Sequence, residues 1–216
     1  MTASFAIYGA GGCGRGVIPL INDNLNTNDS VTAVFVDDKL AGTEINGYKV
    51  ISFDDLCGSE YSHFRVAVAI SDSILRRVIV DQCANAGLQF ADVRSKHSVI
   101  MDEVVIGEGA LLSPFVTITS NVVIGKHFQA NLYSYVEHDC RIGDFVTFAP
   151  RAGCNGNVII EDHAYVGAGA IIKQGQPGNP LVIGEGAIIG MGAVVTKSVP
   201  AGQTVVGNPA RPMTRS

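Results

Sequence analysis

Stepping by six from Ile100, the chain places an apolar residue at every stop: Ile100, Ile106, Leu112, Ile118, Ile124, Ala130, Val136, Ile142, Phe148, Cys154, Ile160, Val166 and Ile172. Four residues after most of these stands a second small or apolar side chain, as at Val104, Ala110, Val116, Val122, Phe128, Ser134, Cys140 and Val146, and glycine often follows the aliphatic residue directly. A period of six is neither the 3.6 of an α-helix nor the 2.0 of a plain strand. It is the period of a parallel β-helix, in which three hexapeptides close one triangular coil and successive coils stack at about 4.8 Å. The pattern therefore predicts a left-handed parallel β-helix over residues 98–216. After Ile172 the phase breaks at Gly175-Gln176-Pro177-Gly178-Asn179-Pro180 and resumes, displaced by five, at Ile183, Ile189 and Val195, which predicts an external loop. A β-sandwich with accidental spacing is the alternative, and so long an unbroken phase argues against it.

Residues 1–97 alternate differently. A strand over Phe5–Tyr8 ends in Gly9-Ala10-Gly11-Gly12-Cys13-Gly14, and a helical stretch follows to about Asn26. Further strands are expected at Val31–Val36, near Tyr48–Ile51, at Phe64–Ile70 and near Phe90–Arg94, with a helix around Asp72–Ala86. This βαβ order predicts a small parallel sheet covered by helices on both faces, a Rossmann-like half domain. The glycine turn fits GxGxxG, whose backbone can approach a phosphate, and Asp37-Asp38 at the end of the second strand is placed to accept from a ribose or a base. A nucleotide-linked substrate is the reading this favours. NAD and a purely structural glycine turn remain alternatives, the first weakened because the domain is half the size of a full dinucleotide fold and no hydride-acceptor residues follow.

Composition narrows the class of partner. The 216 residues include 25 glycines and no tryptophan, are 47% hydrophobic, and carry a net charge of −5 without a basic block. That excludes an electrostatic footprint for nucleic acid or an anionic membrane. The start, Met1-Thr2-Ala3-Ser4, has no basic n-region or long apolar run, so a cytoplasmic location is expected. Five scattered cysteines (Cys13, Cys57, Cys83, Cys140, Cys154) show neither a disulfide framework nor zinc-finger spacing, and Cys140 and Cys154 fall at inward repeat positions. No metal site is expected. His127 and His163 stand two coils apart in one column, too far to share a metal in the manner of a zinc hydratase, and, like His63 and His97, are expected to be ordinary solvated histidines.

The half-size Rossmann-like opening, the Phe35-Val36-Asp37-Asp38 strand end, Val136-Glu137-His138-Asp139-Cys140 within the hexapeptides, and the tail Val206-Gly207-Asn208-Pro209-Ala210-Arg211 together resemble one family over essentially the whole chain. It is that of the nucleotide-sugar N-acetyltransferases related to the sialic acid O-acetyltransferases. The resemblance implies a trimeric enzyme that acetylates the 4-amino group of a nucleotide-linked 4-amino-4,6-dideoxy sugar from acetyl-CoA, in the synthesis of bacterial surface glycan or O-antigen precursors. It ranks UDP and dTDP above GDP as the nucleotide. It implies His138 as general base with Asp139 as its carboxylate partner. Gly11, Gly12, Cys13, Asp37, Asp38 and Ser71 would line the nucleotide site, and Gly156, Ala168 and Met191 the CoA. Members closest to the bacillosamine-pathway enzymes carry histidines where this chain has Cys13 and Thr147.

The chemistry suits the residues. An amine attacking a thioester needs a base near neutral pH, and an imidazole fixed by a carboxylate provides one. Neighbouring side chains on a strand point apart, so Asp139 can reach His138 only at a corner of the coil, and His138 is the third residue of its hexapeptide. Direct attack on bound acetyl-CoA needs no nucleophilic residue. Sialic acid O-acetylation, a non-catalytic nucleotide-binding scaffold and an NAD-dependent enzyme are the competing readings. The acidic pair argues against the first, because carboxylates suit base and ribose donors better than an anionic sugar acid.

Overall fold

The computed structural model describes residues 2–24 and 30–213, which divide into two compact units, one of residues up to 96 with 108–111 and the other of 97–107 with the residues from 112 on. In the first, strands β1 (Thr2–Tyr8), β2 (Ser30–Val36), β3 (Glu44–Ile45), β4 (Tyr48–Ile51) and β5 (Arg65–Val68) form one sheet in the order β3-β4-β2-β1-β5. Only the β3–β4 hairpin is antiparallel. Phe5, Ile7 and Phe35 pack on one face with Val17, Ile18 and Ile21. Alternation turns Tyr8 to the other face, where its ring meets Phe53 of α2 (Phe53–Cys57) at 6.2 Å. Phe90 reaches Val66 through a single bridge, so the strand expected near Phe90–Arg94 is reduced to Val93–Arg94.

The helices follow local chemistry. Helix α3 (Ser73–Asn85) starts where expected because the Asp72 carboxylate accepts from the Ile74 and Leu75 N–H groups, at 3.0 and 2.9 Å. The first helix is shorter than expected: α1 is Gly12–Val17, and Ile18–Asn24 continues as a 3-10 helix. Pro19 cannot donate to the carbonyl four residues back, which ends the α-helical ladder. Asn26, its expected end, lies outside the described residues. Helix α2 was not foreseen, and it carries a complete capping box between Ser52 and Asp55.

In the second unit the period of six becomes three parallel walls. One stacks Val99–Ile100, Thr117–Ile118, Tyr135–Val136, Gly153–Cys154, Ile171–Ile172 and Val194–Val195, each pair eighteen residues from the last until the loop intervenes. The second runs from Val104–Ile106 to Leu181–Ile183, and the third ends in the antiparallel strand Arg211–Pro212. The six-spaced apolar residues, Ile118, Val136, Phe148, Cys154, Val166 and Ile172 among them, form one buried core. The break at Gly175–Pro180 is a turn closed by Gln176 and Asn179, after which Leu181 pairs with Val158 and restores the stack. At the fourth residue of successive hexapeptides the backbone turns through positive φ, as at Phe115, Asn121, His127, Tyr133, Asp139, Phe145, Arg151, Asn157 and His163. This left-handed residue is the corner of the prism.

No helix among the described residues is long and apolar enough to cross a membrane. Phe148, wholly buried and set edge-on to Phe128 at 5.4 Å, tests the core. Phe148→Ala is expected to cost about 3–5 kcal/mol in denaturant unfolding, and a loss below about 1 kcal/mol would contradict this packing.

Candidate active site

His138 and Asp139 stand at a corner, and Asp139 is its left-handed residue, with φ 59°. That turn brings two adjacent side chains together that a straight strand would separate: Nδ1 of His138 lies 2.8 Å from Oδ2 of Asp139. The two side chains remain 55% and 50% exposed. With Nδ1–H donating to the carboxylate, Nε2 carries the lone pair, the arrangement a general base requires. The hydrogen bond to Asp139 raises the imidazole pKa above its ordinary value; partial desolvation opposes it, and the charges of Asp139 and Glu137 and the Cys140 side chain add smaller upward contributions.

Around this pair stand Tyr135 and, from the next coil, Gly153 and Asn155, which sequence reasoning did not single out. Tyr135 donates through its hydroxyl to Oδ1 of Asn155 at 3.1 Å. The signal was present in the sequence as an offset of eighteen, which puts Gly153, Asn155 and Gly156 beneath Tyr135, Glu137 and His138. Cys140 and Cys154 are buried with their sulfurs 4.0 Å apart. Of the residues expected along the CoA, Ala168 and Met191 are exposed at a different corner, in successive coils, and Met191 is 81% accessible. Gly156 is not with them but is buried against His138.

The remaining histidines are not all solvated. His127 is 2% exposed, and the Phe145 ring stacks between it and His163 at 5.3 and 5.2 Å. The reading of His127 as an ordinary solvated histidine is thereby corrected: the left-handed corner stacks the rings of successive coils on one another. Among the described residues no group of three or more His, Cys, Asp or Glu side chains could hold a metal ion. Thr147, where some family members carry histidine, is buried in its wall.

In the first unit, the expected nucleotide residues all follow the carboxyl ends of parallel strands. Gly11, Gly12 and Cys13 come after β1, Asp37 and Asp38 after β2, and Ser71 after β5. β1 lies between β2 and β5, so the strand order reverses there, and in open α/β sheets ligands bind at such a switch point. A Cβ on Gly14 would run into the Gly9 carbonyl, so glycine is obligatory for the close packing of α1 on β1. Gly11 and Gly12 are exposed, and Cys13 is half-buried with its thiol pKa raised by burial. The acidic pair is partly committed: Asp38 Oδ1 accepts from the Phe53 N–H at 2.7 Å and Asp37 Oδ1 from the Lys39 N–H at 3.1 Å. Sequence reasoning also missed Arg76, which is buried and donates to the Ile70 and Ser71 carbonyls, at 2.7 and 3.4 Å, fixing the segment that carries Ser71.

Comparison with known proteins decides what this arrangement belongs to. Over 214 residues, 98% of this chain and 97% of the relative, the sequence is 51% identical to GDP-perosamine N-acetyltransferase of Escherichia coli O157:H7. The chain belongs to the hexapeptide-repeat sugar N-acetyltransferases. Residues 4–83 match the PglD N-terminal domain family. The fold superposes on WeeI from Acinetobacter baumannii AYE with a TM-score of 0.92 and 54% identity, covering 99% of this chain and 100% of that one. It also matches PerB from Caulobacter crescentus in complex with CoA and GDP-perosamine, with a TM-score of 0.86, 27% identity, and 98% and 97% coverage. As a sugar N-acetyltransferase this enzyme uses acetyl-CoA as acyl donor and an amine on a nucleotide-linked sugar as acceptor.

For this N-acetyltransferase the exposed His138–Asp139 pair generates a direct test. Asp139→Asn removes the main cause of the raised imidazole pKa. The His138 titration followed by NMR is expected to move down toward about 6.5, and an unchanged midpoint would show that the carboxylate does not set it.

Proposed function

We propose that this enzyme transfers the acetyl group of acetyl-CoA to the 4-amino group of a GDP-linked 4-amino-4,6-dideoxy sugar, with His138 as general base. The observation that carries the base is the 2.8 Å contact of Nδ1 with Asp139, which leaves Nε2 as the acceptor. The GDP preference reverses the ranking suggested by resemblance alone, in which UDP and dTDP came first. It rests on the whole-chain likeness to GDP-perosamine N-acetyltransferase and on PerB, whose structure holds GDP-perosamine. Base chemistry agrees: guanine offers an N–H and an amino group on one edge to a carboxylate such as Asp37 or Asp38, where uracil and thymine offer a single N–H.

In the reaction the neutral sugar amine attacks the thioester carbonyl, a C–N bond forms, and the C–S bond breaks. Nε2 of His138 takes the proton that the nitrogen sheds, and Asp139 stabilises the resulting imidazolium. The proton then passes to the departing CoA thiolate or to solvent. No acyl-enzyme is required. Protonation of His138 disables the base, so activity should fall as pH drops through the raised imidazole pKa, and the acidic limb of the Asp139→Asn variant should lie at lower pH. We further infer a cytoplasmic homotrimer whose product enters surface glycan or O-antigen synthesis. The trimer is supported by the flat walls of the prism, which suit packing of one copy against the next.

Thiol release from acetyl-CoA against GDP-, UDP- and dTDP-linked 4-amino sugars tests this. The GDP sugar is expected to be preferred at least about tenfold in kcat/KM, and His138→Ala to lower kcat about 100-fold or more. Full activity in that variant overturns the base, and preference for a pyrimidine nucleotide overturns the acceptor. Sedimentation is expected to give a trimer, and a monomer contradicts it.

A further inference from the structure

Tyr135 and His138 do not stand away from the prism but lie along it, over the coil that follows. A Cβ built on Gly156 would meet the imidazole at 2.6 Å from Cε1, 2.7 Å from Nε2 and 3.0 Å from Nδ1, and these are its three nearest atoms. A Cβ on Gly153 would meet the Tyr135 ring in the same way, at 2.6 Å from Cζ and from the hydroxyl oxygen. Gly153 pairs with Tyr135 in register, the Glu137 N–H donates to the Cys154 carbonyl at 2.8 Å, and the Asn157 N–H to the His138 carbonyl at 3.0 Å. The segment Gly153-Cys154-Asn155-Gly156 is thus the floor beneath Tyr135-Val136-Glu137-His138. Neither glycine adopts positive φ, so the backbone there would accept any L-residue. What glycine supplies at both places is space. A side chain is missing under each of the two rings, and between them Asn155 holds the Tyr135 hydroxyl.

We propose that Gly156 is a positioning residue that acts through His138: its bare Cα lets the imidazole lie against the following coil in the rotamer that keeps Nδ1 on Asp139. This differs from a place along the CoA, and its catalytic consequence rests on His138 being the base. A methyl at position 156 pushes the ring off its floor and away from Asp139. The groups that act electrostatically on the ring are Asp139 and Glu137 from its own segment and the Cys140 side chain, while the segment beneath, Asn155-Gly156-Asn157, carries no titratable side chain. Losing Asp139 therefore removes the chief support of the protonated form.

The test is NMR titration of the His138 imidazole in the full-length protein, assigned by His138→Gln, with acetyl-CoA kinetics on the same variants. In Gly156→Ala the midpoint is expected to fall toward about 6.5 and kcat to drop at least tenfold, with KM for acetyl-CoA within twofold of wild type. Gly153→Ala, which strikes Tyr135 instead, is expected to leave the His138 midpoint in place. An unchanged midpoint in Gly156→Ala overturns the proposal, as does an equal shift in Gly153→Ala, which would report general distortion of the coil. A raised KM for acetyl-CoA with kcat intact also overturns it, in favour of a cofactor-lining role. A lowered midpoint with kcat intact upholds the positioning and instead removes His138 as the base. Thermal unfolding supplies a readout independent of activity: His138→Ala is expected to restore the stability that Gly156→Ala loses, because the ring that the methyl strikes is gone. No restoration places the clash on the backbone and overturns the proposal.

Discussion

The hydrogen-bond ladder between successive coils, with a register of eighteen residues, is the constraint on which the β-helix and its chemistry depend. Because the wall strands are paired in register with the coil beside them, a side chain cannot slide along the prism, and what lies under it is fixed by sequence arithmetic. Aliphatic residues fall into one column and make the core. Corner residues fall into others, so that Phe145 is stacked between His127 and His163, and Phe115 on Tyr133 at 4.8 Å. The same register sets His138 over Gly156. A rigid repeat of this kind can hold an imidazole to the tolerance that proton transfer requires, as proposed for His138.

The corner itself is the second element of the chemistry. A left-handed residue costs energy for most side chains, and Asp is among those that tolerate it. At Asp139 that conformation brings the carboxylate to its neighbour's Nδ1, so one backbone turn both closes the coil and orients the His138 imidazole. The first unit answers a different need. Its sheet reverses strand order beside β1, its glycine turn brings backbone close to backbone, and Arg76 ties down the segment after β5. On the proposed reading, acyl transfer belongs to the prism and recognition of the nucleotide to the βαβ unit.

Much of this was legible because the periodicity is strict. The apolar series from Ile100 to Ile172, the phase break at Gly175–Pro180 and the need for a corner at His138–Asp139 all follow from counting. The parts that escaped depend on which atoms meet. Pro19 shortened α1, a local effect that hydrophobic pattern does not register. Helix α2 was too short to show a period, although Ser52 and Asp55 are spaced as a capping box. His127 reads as solvated because no acidic partner with an evident role stands near it in the sequence, yet stacking buries it. Gly156, which the resemblance places along the CoA, lies beneath His138, a neighbour that only the register of the folded coils reveals. The nucleotide could not be ranked from Asp37 and Asp38 alone, since carboxylates accept from ribose and base alike, and one oxygen of each is already bonded within the fold.

In the proposed reaction the imidazole of His138 receives the proton of the attacking sugar amine. A crystal structure of the enzyme with CoA and a GDP-linked 4-amino-4,6-dideoxy sugar tests it most directly. The amine nitrogen is expected within hydrogen-bond distance of Nε2, about 2.6–3.2 Å, with the CoA sulfur on the other side of that nitrogen and Nδ1 still on Asp139. An amine held by another side chain, with Nε2 turned away from it, would remove His138 as the base.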